Sequence, residues 1–356
     1  MRLVTAYFFI VCLFPPFMGF SLQHPDRLIS LKECEEKGDF VEYLLEEPDS
    51  RQFLLFLKNG VVVNEGKIVT SRGEVFQNTE VYLTHRHNLL NPKRNIANED
   101  WVFFPGKLAV ISSSGQENWY HWLFQVLPRL KILAQSGIEY DRIYLANLDH
   151  PWQKNSLKIF MEHFGLSERD FLFVNGDTII KADLLIVPSV PFIPSKSPAF
   201  PSWLKACIRD AFLPKKWEST FPERLYISRR KACSRRIVQE ETLLKALEKK
   251  GFVSICLEDL DPQEQAALFS FAKIIVGPHG SGFANLIFSH PGTVVVEIDH
   301  GSMDEPRSLY QDFARKLGCH YFGYYPDYVK EDAWDAKISI DIVKFLMFLD
   351  EHLLKG

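Results

Sequence analysis

The sequence lacks the short motifs that mark the commonest metal, redox and nucleotide sites. No two of its six cysteines form a C-x-x-C pair, so neither a zinc motif nor a dithiol redox motif is expected. It contains no G-x-x-x-x-G-K-[ST] sequence, and no G-x-G-x-x-G opens a βαβ unit. An ordinary P-loop and a hydride-transferring NAD site are therefore disfavoured. Spacing leaves disulfide pairing open, although free and mostly buried thiols are the favoured interpretation.

A basic excess is also absent. The formal net charge is -4, from 41 Lys and Arg against 45 Asp and Glu, which argues against a general nucleic-acid binder. Hydrophobic residues make up 46% and charged residues 24%, a globular balance without the signature of disorder. A chain of 356 residues is too long for one compact core and suits two domains.

The N-terminus carries the single long apolar run of the sequence. The run from Leu3 to Phe20 follows Arg2 and has the shape of a signal peptide or a short signal anchor. Pro15 and Pro16 interrupt it, and no clean small-x-small cleavage site follows. We predict that residues 1–25 target a membrane, with cleavage left open.

The rest of the sequence divides into two α/β parts. Residues 26–218 begin with short strands and turns and then alternate strands and helices, as in an α/β domain. Residues 219–356 contain five apolar strands separated by four helices. Continuously apolar strands are buried on both faces, so this part predicts a parallel, Rossmann-like sheet. The last helix is expected either to stay there or to pack back on the first part.

Charged and glycine-rich loops follow three of the predicted parallel strands. Ligands bind at the carboxyl ends of such strands, so these loops are expected to meet at one edge. They contain guanidiniums, a glycine turn that opens a helix, and carboxylates. The residues are Arg229, Arg230, Arg235, Arg236, His279, Gly280, Ser281, Gly282, Glu297 and Asp299.

This combination suits a nucleoside diphosphate. Guanidiniums bind phosphate in bidentate fashion, a helix start offers backbone N–H groups, and a carboxylate after a strand can hold ribose hydroxyls. Each feature alone has an ordinary explanation, as a solvated surface, a packing glycine or a salt-bridge partner. The D-x-D pair of Asp259 and Asp261 is better explained by Asp261 as a helix N-cap than as a metal site.

The first part offers a candidate base on its longest predicted helix, "ENWYHWLFQVLPRLKILAQSG", which Pro128 is expected to kink or break. Glu117 and His121 are one turn apart and share a face. If the two parts face each other, either residue is a candidate general base for an acceptor hydroxyl. A histidine satisfied by a local hydrogen bond is an equally good interpretation.

The segment from "RLYISRRKACSRR" to "VGPHGSGFANLIFSHPGTVVVEI", together with "NWYHWLFQVLPRL", resembles glycosyltransferase family 61. The resemblance covers about Asn118 to Ile298. It implies a GT-B fold, with two Rossmann-like domains facing across a cleft and the donor held mostly by the second. Among the loop residues above, it singles out Arg229, Arg235 and Glu297 together with the H-G-x-G turn for donor binding, and it adds Asn285 after that turn. It puts His121, Trp122 and Arg129 on the marker of the first, acceptor-side part.

The resemblance implies an inverting, metal-independent transfer of a hexose or pentose from a nucleotide-sugar donor, with UDP the expected nucleotide, to a glycan or glycoprotein hydroxyl. No cofactor, metal or nucleic-acid partner is implied. Gln125 stands where the marker usually has an acid, which favours an alternative: an inactive nucleotide- or glycan-binding member of the fold. A sugar-nucleotide epimerase is disfavoured because the NAD fingerprint is absent.

The location depends on the source. A eukaryotic chain with this N-terminus would lie in the lumen of the ER or Golgi, anchored or released. A bacterial chain would lie at the cytoplasmic face of the inner membrane.

Overall fold

The structure, a computed structural model, describes twelve ranges of the chain. They are residues 28–29, 40–45, 52–63, 66–69, 75–76, 102–174, 178–192, 200–214, 221–299, 309–326, 328–330 and 337–353. The predicted targeting segment, residues 1–25, and the boundary between residues 218 and 219 lie outside these ranges. Among the described helices, none combines the length and the apolar character needed to cross a bilayer.

The first sheet contains ten strands within the described residues. They are β1 (Leu28–Ile29), β2 (Phe40–Leu45), β3 (Gln52–Lys58), β4 (Val61–Val63), β5 (Lys67–Val69), β6 (Val75–Phe76), β7 (Val102–Val110), β8 (Arg142–Ala146), β9 (Phe171–Val174) and β10 (Ile180–Pro188). The order is β1-β6-β5-β4-β10-β7-β8-β9, and β3 also pairs with β10 and carries β2.

Only part of this sheet is Rossmann-like. Strands β10, β7, β8 and β9 are parallel to one another. The short strands of the opening segment join the same sheet, because β3 and β4 both pair antiparallel with β10. The α/β class is therefore confirmed, whereas the first sheet is mixed and wider than the predicted Rossmann-like layer.

The helices of the first part follow the predicted pattern. They are α1 (Trp119–His121), a π-helical turn (Trp122–Val126), α2 (Arg129–Ser136), α3 (Pro151–Phe164), a 3-10 turn (Glu168–Asp170) and α4 (Ser202–Phe212). The predicted long helix is interrupted at Pro128, since proline lacks an N–H for the helical ladder. It ends at Gly137, whose φ of 63° is the left-handed conformation that favours glycine at a helix end.

The second part forms a five-stranded parallel sheet and a small three-stranded one. Its strands are β11 (Arg224–Ile227), β12 (Arg236–Ile237), β13 (Val253–Ile255), β14 (Ile274–Pro278), β15 (Val294–Ile298), β16 (His320–Tyr324), β17 (Tyr328–Lys330) and β18 (Lys337–Ser339). Its helices are α5 (Glu240–Glu248), a 3-10 turn (Leu257–Asp259), α6 (Pro262–Phe271), a 3-10 helix (Ser281–Phe288), α7 (Leu309–Lys316) and α8 (Ile342–Leu353).

The strand order of the larger sheet locates its ligand crevice. The order is β13-β11-β14-β15-β16, so the first strand along the chain lies between the second and the third. All neighbours are parallel, as predicted. Such a doubly wound sheet reverses direction between its first and third strands, and ligands bind beyond the carboxyl ends there. That point lies between β11 and β14.

The two parts share a hydrophobic core. One cluster of buried side chains includes Trp122 and Phe124 from the first part and Phe283 and Phe313 from the second. Ring contacts cross between the parts as well, with the centroids of Phe124 and Phe313 5.2 Å apart. The carboxyl edge of the second sheet is therefore held against the helix that follows β7.

The last helix, α8, packs on the second sheet. Its buried residues Phe345 and Leu349 belong to the cluster that contains Tyr226 and Val276, on strands β11 and β14. The suggested return of this helix to the first part is thus corrected. Its apolar side covers the face of the second sheet opposite the shared core.

Candidate active site

The carboxyl ends of β11 and β14 bring an arginine onto a glycine turn. Arg229 follows β11, and its Nε donates to the carbonyl of Ser234 at 3.1 Å. A Cβ placed on Gly280 would clash with the Arg229 guanidinium. Glycine at position 280 therefore allows the guanidinium to lie directly against the backbone of the turn. These two loops thus meet at the edge where the sequence predicts them.

A second arginine raises the positive charge at this point. Burial first, and the nearby charge of Arg235 second, lower the pKa of Arg229 to about 10, while Glu258 opposes the shift. Arg235 has a φ of 59°, a left-handed conformation that is uncommon for a residue with a side chain. The loop thus holds two guanidiniums close together despite their repulsion, which is an arrangement suited to an anion.

Three neighbouring strands build a buried histidine–carboxylate pair. Nδ1 of His279, after β14, lies 2.5 Å from Oε1 of Glu297 on β15. The hydroxyl of Tyr321, on β16, donates to Oε2 of Glu297 at 2.6 Å. Burial raises the pKa of Glu297 to about 8, against the lowering effect of the Tyr321 bond. Both carboxylate oxygens face protein groups, so Glu297 supports His279 in this structure instead of turning outward toward a ribose.

Strand pairing explains why Tyr321 reaches the carboxylate. Glu297 stands opposite Gly323 in the β15–β16 register. Glycine places no side chain opposite the carboxylate, and the Tyr325 ring fills that space, with its hydroxyl 3.1 Å from the position of a Cβ. Tyr321 lies two residues earlier on the same face as Glu297, so its side chain reaches the carboxylate as a diagonal neighbour. Sequence reasoning missed Tyr321. The glycine opposite the carboxylate would have been the signal, but it requires the register.

The remaining donor-side predictions fall on packing positions. A Cβ on Gly282 would meet the Leu257 side chain, so this glycine gives room to a core contact. The amide of Asn285 is engaged on both sides. Its Oδ1 accepts from Trp119 Nε1 at 2.9 Å, and its Nδ2 donates to Gln265 Oε1 at 2.9 Å. Asn285 therefore joins the two parts of the molecule. Ser281 is half-buried at the start of the 3-10 helix.

The first part contributes a second buried histidine. The side chain of Asn118 caps α1 by accepting from the N–H of Tyr120 at 2.9 Å. His121 follows in the same turn, and its Nδ1 lies 2.7 Å from Oε1 of Gln125. Because an amide oxygen only accepts, Nδ1 carries the hydrogen and Nε2 of the neutral ring is an acceptor. His121 therefore makes a local hydrogen bond through Nδ1 and still has Nε2 as a candidate base.

Burial keeps this histidine neutral. It lowers the pKa of His121, and the bond to Gln125 and the charge of Glu117 oppose the shift only in part. Glu117 itself is exposed. Of the two candidate bases, His121 is thus the one enclosed by protein, with Glu117 acting on it through charge.

Gln125 lies in the π-helical turn and is fully buried. Its Nε2 has no hydrogen-bond partner among the described residues. Single π-turns are frequent at functional sites, and an unpaired buried donor is costly. This donor calls for an explanation beyond packing.

Aromatic rings connect the two histidines. The ring of Tyr310, on α7, lies 5.2 Å from that of His279 and 6.2 Å from that of Tyr120. Tyr120 in turn lies 5.4 Å from His121. A continuous series of ring contacts therefore joins the two histidine pairs. Sequence reasoning missed Tyr310 because it belongs to a helix far along the chain.

A family model, glycosyltransferase 61, matches residues 119–296, half of the chain. The chain belongs to glycosyltransferase family 61. It is also similar to the xylan glycosyltransferase MUCI21 of Arabidopsis thaliana, with 30% identity over 95 residues, which is 26% of this chain and 19% of that protein. The similar segment thus spans about a fifth of the curated relative.

The family 61 match begins at the first residue of α1 and stops within β15. It includes His121, Arg229, Arg235 and His279, but not Glu297 or the two tyrosines on α7 and β16. The residues that contact the His279 ring, Glu297 and Tyr310, and the Tyr321 hydroxyl bonded to Glu297 therefore lie after the matched segment in the chain.

Two other residues of the family 61 marker hold the first part together. Arg129 is fully buried, and its Nη1 donates to the carbonyls of Ile111 and Ser112, at 3.3 and 2.8 Å, beyond the end of β7. Trp122 Nε1 donates to Ser156 Oγ at 2.8 Å. These bonds fix the helix that carries His121.

The D-x-D pair has ordinary structural roles. Oδ1 of Asp261 accepts from the N–H groups of Gln263 and Glu264, at 2.8 and 2.9 Å, and so caps α6 as predicted. Asp259 pairs with Lys231. Independence of a metal remains a prediction.

Proposed function

We propose that this chain is an inverting glycosyltransferase that moves a sugar from a UDP-linked donor to a hydroxyl of a glycan or glycoprotein. One observation carries the proposal. Two guanidiniums, a glycine turn and a His–Glu pair gather at the crevice of a parallel sheet, and an aromatic bridge links them to a neutral histidine on the other part. Family membership agrees with this chemistry.

The donor side is suited to a diphosphate leaving group. When the bond between the anomeric carbon and the phosphate oxygen breaks, the electron pair stays on the diphosphate. Arg229 and Arg235 are fixed positive charges that stabilise this developing charge without reorganising. The N–H groups at the start of the 3-10 helix add to them. Protein cations would thus do what a metal ion does elsewhere, and we propose a reaction without a metal or another cofactor.

The acceptor side is suited to proton removal. The acceptor oxygen attacks the anomeric carbon from the face opposite the leaving group, and its proton goes to Nε2 of His121. A base must be unprotonated to do this, and burial favours the neutral ring. Attack from the opposite face inverts the anomeric configuration. We therefore assign the base to His121, with exposed Glu117 as a charge that tunes it.

Wider features of the protein follow from the same proposal. The two parts would form a GT-B arrangement, with the donor in the second part and the acceptor entering from the first. The relative's name makes xylan a first acceptor to test. Residues 1–25 would lead a eukaryotic chain into the secretory pathway, to the ER or Golgi lumen, as an anchored or released protein.

A binding protein without turnover is the alternative, and Gln125 is the observation that favours it. If this position must supply a carboxylate, the chain would hold a nucleotide or a glycan without transferring sugar.

A panel of UDP-sugars tests both functions on the full chain. We expect one donor to be hydrolysed, or transferred to an oligosaccharide acceptor, and UDP to raise the melting temperature. Arg235→Ala should abolish both effects. Arg224→Ala, which removes an exposed guanidinium that donates to the carbonyl of Lys250, is the matched control and should change neither.

If UDP raises the melting temperature through Arg235 while no donor is consumed, the alternative holds. If UDP has no effect on any variant, both functions are wrong.

A further inference from the structure

We propose that Glu297 and Tyr321 are positioning residues that keep a proton on His279 and direct it at the leaving diphosphate. This inference rests on the proposed transfer and deepens it. His279 is the catalytic residue of the set, since it alone belongs to the turn on which Arg229 lies. The other two act through it.

The geometry makes the three residues one unit. His279 and Glu297 stand at the carboxyl ends of β14 and β15, and Tyr321 stands near the start of the adjacent β16, so the sheet itself sets their spacing. The backbone N–H of His279 donates to the carbonyl of Ile298 at 3.0 Å, which ties the turn to β15. Glu297 is fully enclosed and bonded at both oxygens. A carboxylate held in this way fixes the ring plane of the histidine and engages its Nδ1.

Counting protons shows what the pair offers to a ligand. In one state the pair holds one exchangeable proton in addition to the Nε2–H. This proton lies either on the carboxyl group, which donates to Nδ1, or on Nδ1 of an imidazolium. In both arrangements Nε2 keeps its hydrogen and is a donor. After the proton leaves, Nδ1–H donates to the carboxylate and Nε2 becomes an acceptor. The two groups therefore titrate as a pair.

The surroundings favour the protonated state at neutral pH. Burial raises the pKa of Glu297 to about 8, and nearby Asp299 raises it further, while Tyr321 and Arg235 lower it. Tyr325 also lies within the field of this carboxylate. Next to His279, the facing titratable group is Tyr310 on α7. The nearby charges act in opposite directions, so burial is the strongest effect on the pair. Burial disfavours the state in which the carboxylate is ionised and the extra proton has left.

In the reaction, the Nε2–H of His279 donates to the phosphate oxygen as the bond to the anomeric carbon breaks. That oxygen receives the electron pair, and the acceptor's proton has gone to His121 on the other side. The pair thus stabilises the leaving group, while the arginines balance the remaining charge.

The test follows the pH dependence of turnover in four variants of the full chain. His279→Ala removes the donor and should lower kcat about 10²–10³-fold, the range for one donor at a developing oxyanion. Glu297→Gln should produce a similar loss, because an amide oxygen accepts from Nδ1–H and leaves Nε2 as an acceptor at neutral pH.

Tyr321→Phe is the decisive variant. The hydroxyl lowers the pKa of Glu297, so its removal raises that pKa and moves the alkaline limb of the kcat profile to higher pH. Tyr140→Phe, a half-buried tyrosine of the first part whose charged neighbour is Asp170, is the matched control and should leave the profile in place. An alkaline limb that stays unmoved in Tyr321→Phe, with kcat intact, overturns the inference.

A second readout separates this inference from the proposed function. Histidine ring NMR in the presence of UDP reports the protonation of His279 without turnover. If no sugar is transferred and the His279 signal still titrates together with Glu297 and shifts in Tyr321→Phe, the pair is real and the transferase proposal is wrong. If sugar is transferred while the signal titrates independently of Glu297, the positioning inference is wrong.

Discussion

The two edges of the site each hold a buried histidine whose Nδ1 meets one side-chain oxygen. On the first part the partner is the neutral amide of Gln125, at 2.7 Å; on the second it is the acid Glu297, at 2.5 Å. The geometry is the same and the chemistry differs. A neutral acceptor fixes the tautomer and adds no charge, so the ring remains a base. An acid shares a proton with the ring and makes it a donor.

Under the proposed function, this difference gives the two histidines opposite tasks. A transfer between two oxygens needs a proton removed from the acceptor and negative charge stabilised on the leaving group. When their environments move the pKa values of two titratable groups apart, one group can accept a proton and the other can donate one at the same pH. Here burial lowers the pKa of His121 and raises that of Glu297.

The largest expected effect separates the edges by function. His121→Ala removes the proposed base and should lower kcat about 10²–10⁴-fold, the usual contribution of general base catalysis. The affinity for UDP, measured by calorimetry, should stay unchanged because the donor side is intact. A variant that turns over within about tenfold of the parent would move the base elsewhere, with Glu117 as the next candidate.

A substitution beside Arg229, on the second part, should instead lower the affinity for UDP. Gly280→Ala forces the Arg229 guanidinium off the turn, since the added Cβ clashes with it. Loss of a charged hydrogen bond costs about 1.5–3 kcal/mol, so UDP affinity should fall about 10–100-fold. Gly282→Ala, whose Cβ clashes with the end of the Leu257 side chain and not with Arg229, is the matched control for UDP affinity. Equal losses in both variants would mean that Arg229 does not contact the diphosphate.

Gln125→Glu gives His121 a carboxylate partner, as His279 has in Glu297. A carboxylate beside His121 favours the imidazolium and should raise its pKa by about 1–3 units. The acidic limb of the kcat profile would then move to higher pH, and activity lost near pH 6 would return above pH 8. An unmoved limb would show that His121 is not the titrating base. Gln125→Leu, which removes the acceptor without adding charge, should lower kcat without an upward shift of the limb.

The smallest effect concerns stability. The pKa of Glu297 is raised in the folded state, so its contribution to stability is fully present below the unfolded value and is lost as pH rises through about 8. We expect the melting temperature to fall by a few degrees between about pH 5 and pH 8 in part for this reason. Glu297→Gln, which cannot ionise, should flatten this dependence. If the melting temperature falls equally with pH in both proteins, Glu297 is already ionised in the folded state at neutral pH.

Prediction from sequence went furthest in the second part. Continuous apolar runs such as "KIIVGP" and "TVVVEI" predicted parallel strands, and their positions indicated which loops share an edge. The same reasoning predicted the cap at Asp261 and the break at Pro128, since both depend on a few neighbouring residues. It was less accurate for the first sheet, where the pairing of β3 and β4 with β10 joins segments more than a hundred residues apart.

The sequence by itself determined the element types, the α/β class, the family and the loops that carry the chemistry, because these depend on local periodicity and on short motifs. Only the tertiary structure decided what each side chain does. In the structure Asn285 links the two parts, and Glu297 bonds to His279 instead of pointing outward. Tyr321 and Tyr310 contact this histidine–carboxylate pair. These outcomes depend on strand order, register and burial, which bring together residues that no local pattern relates.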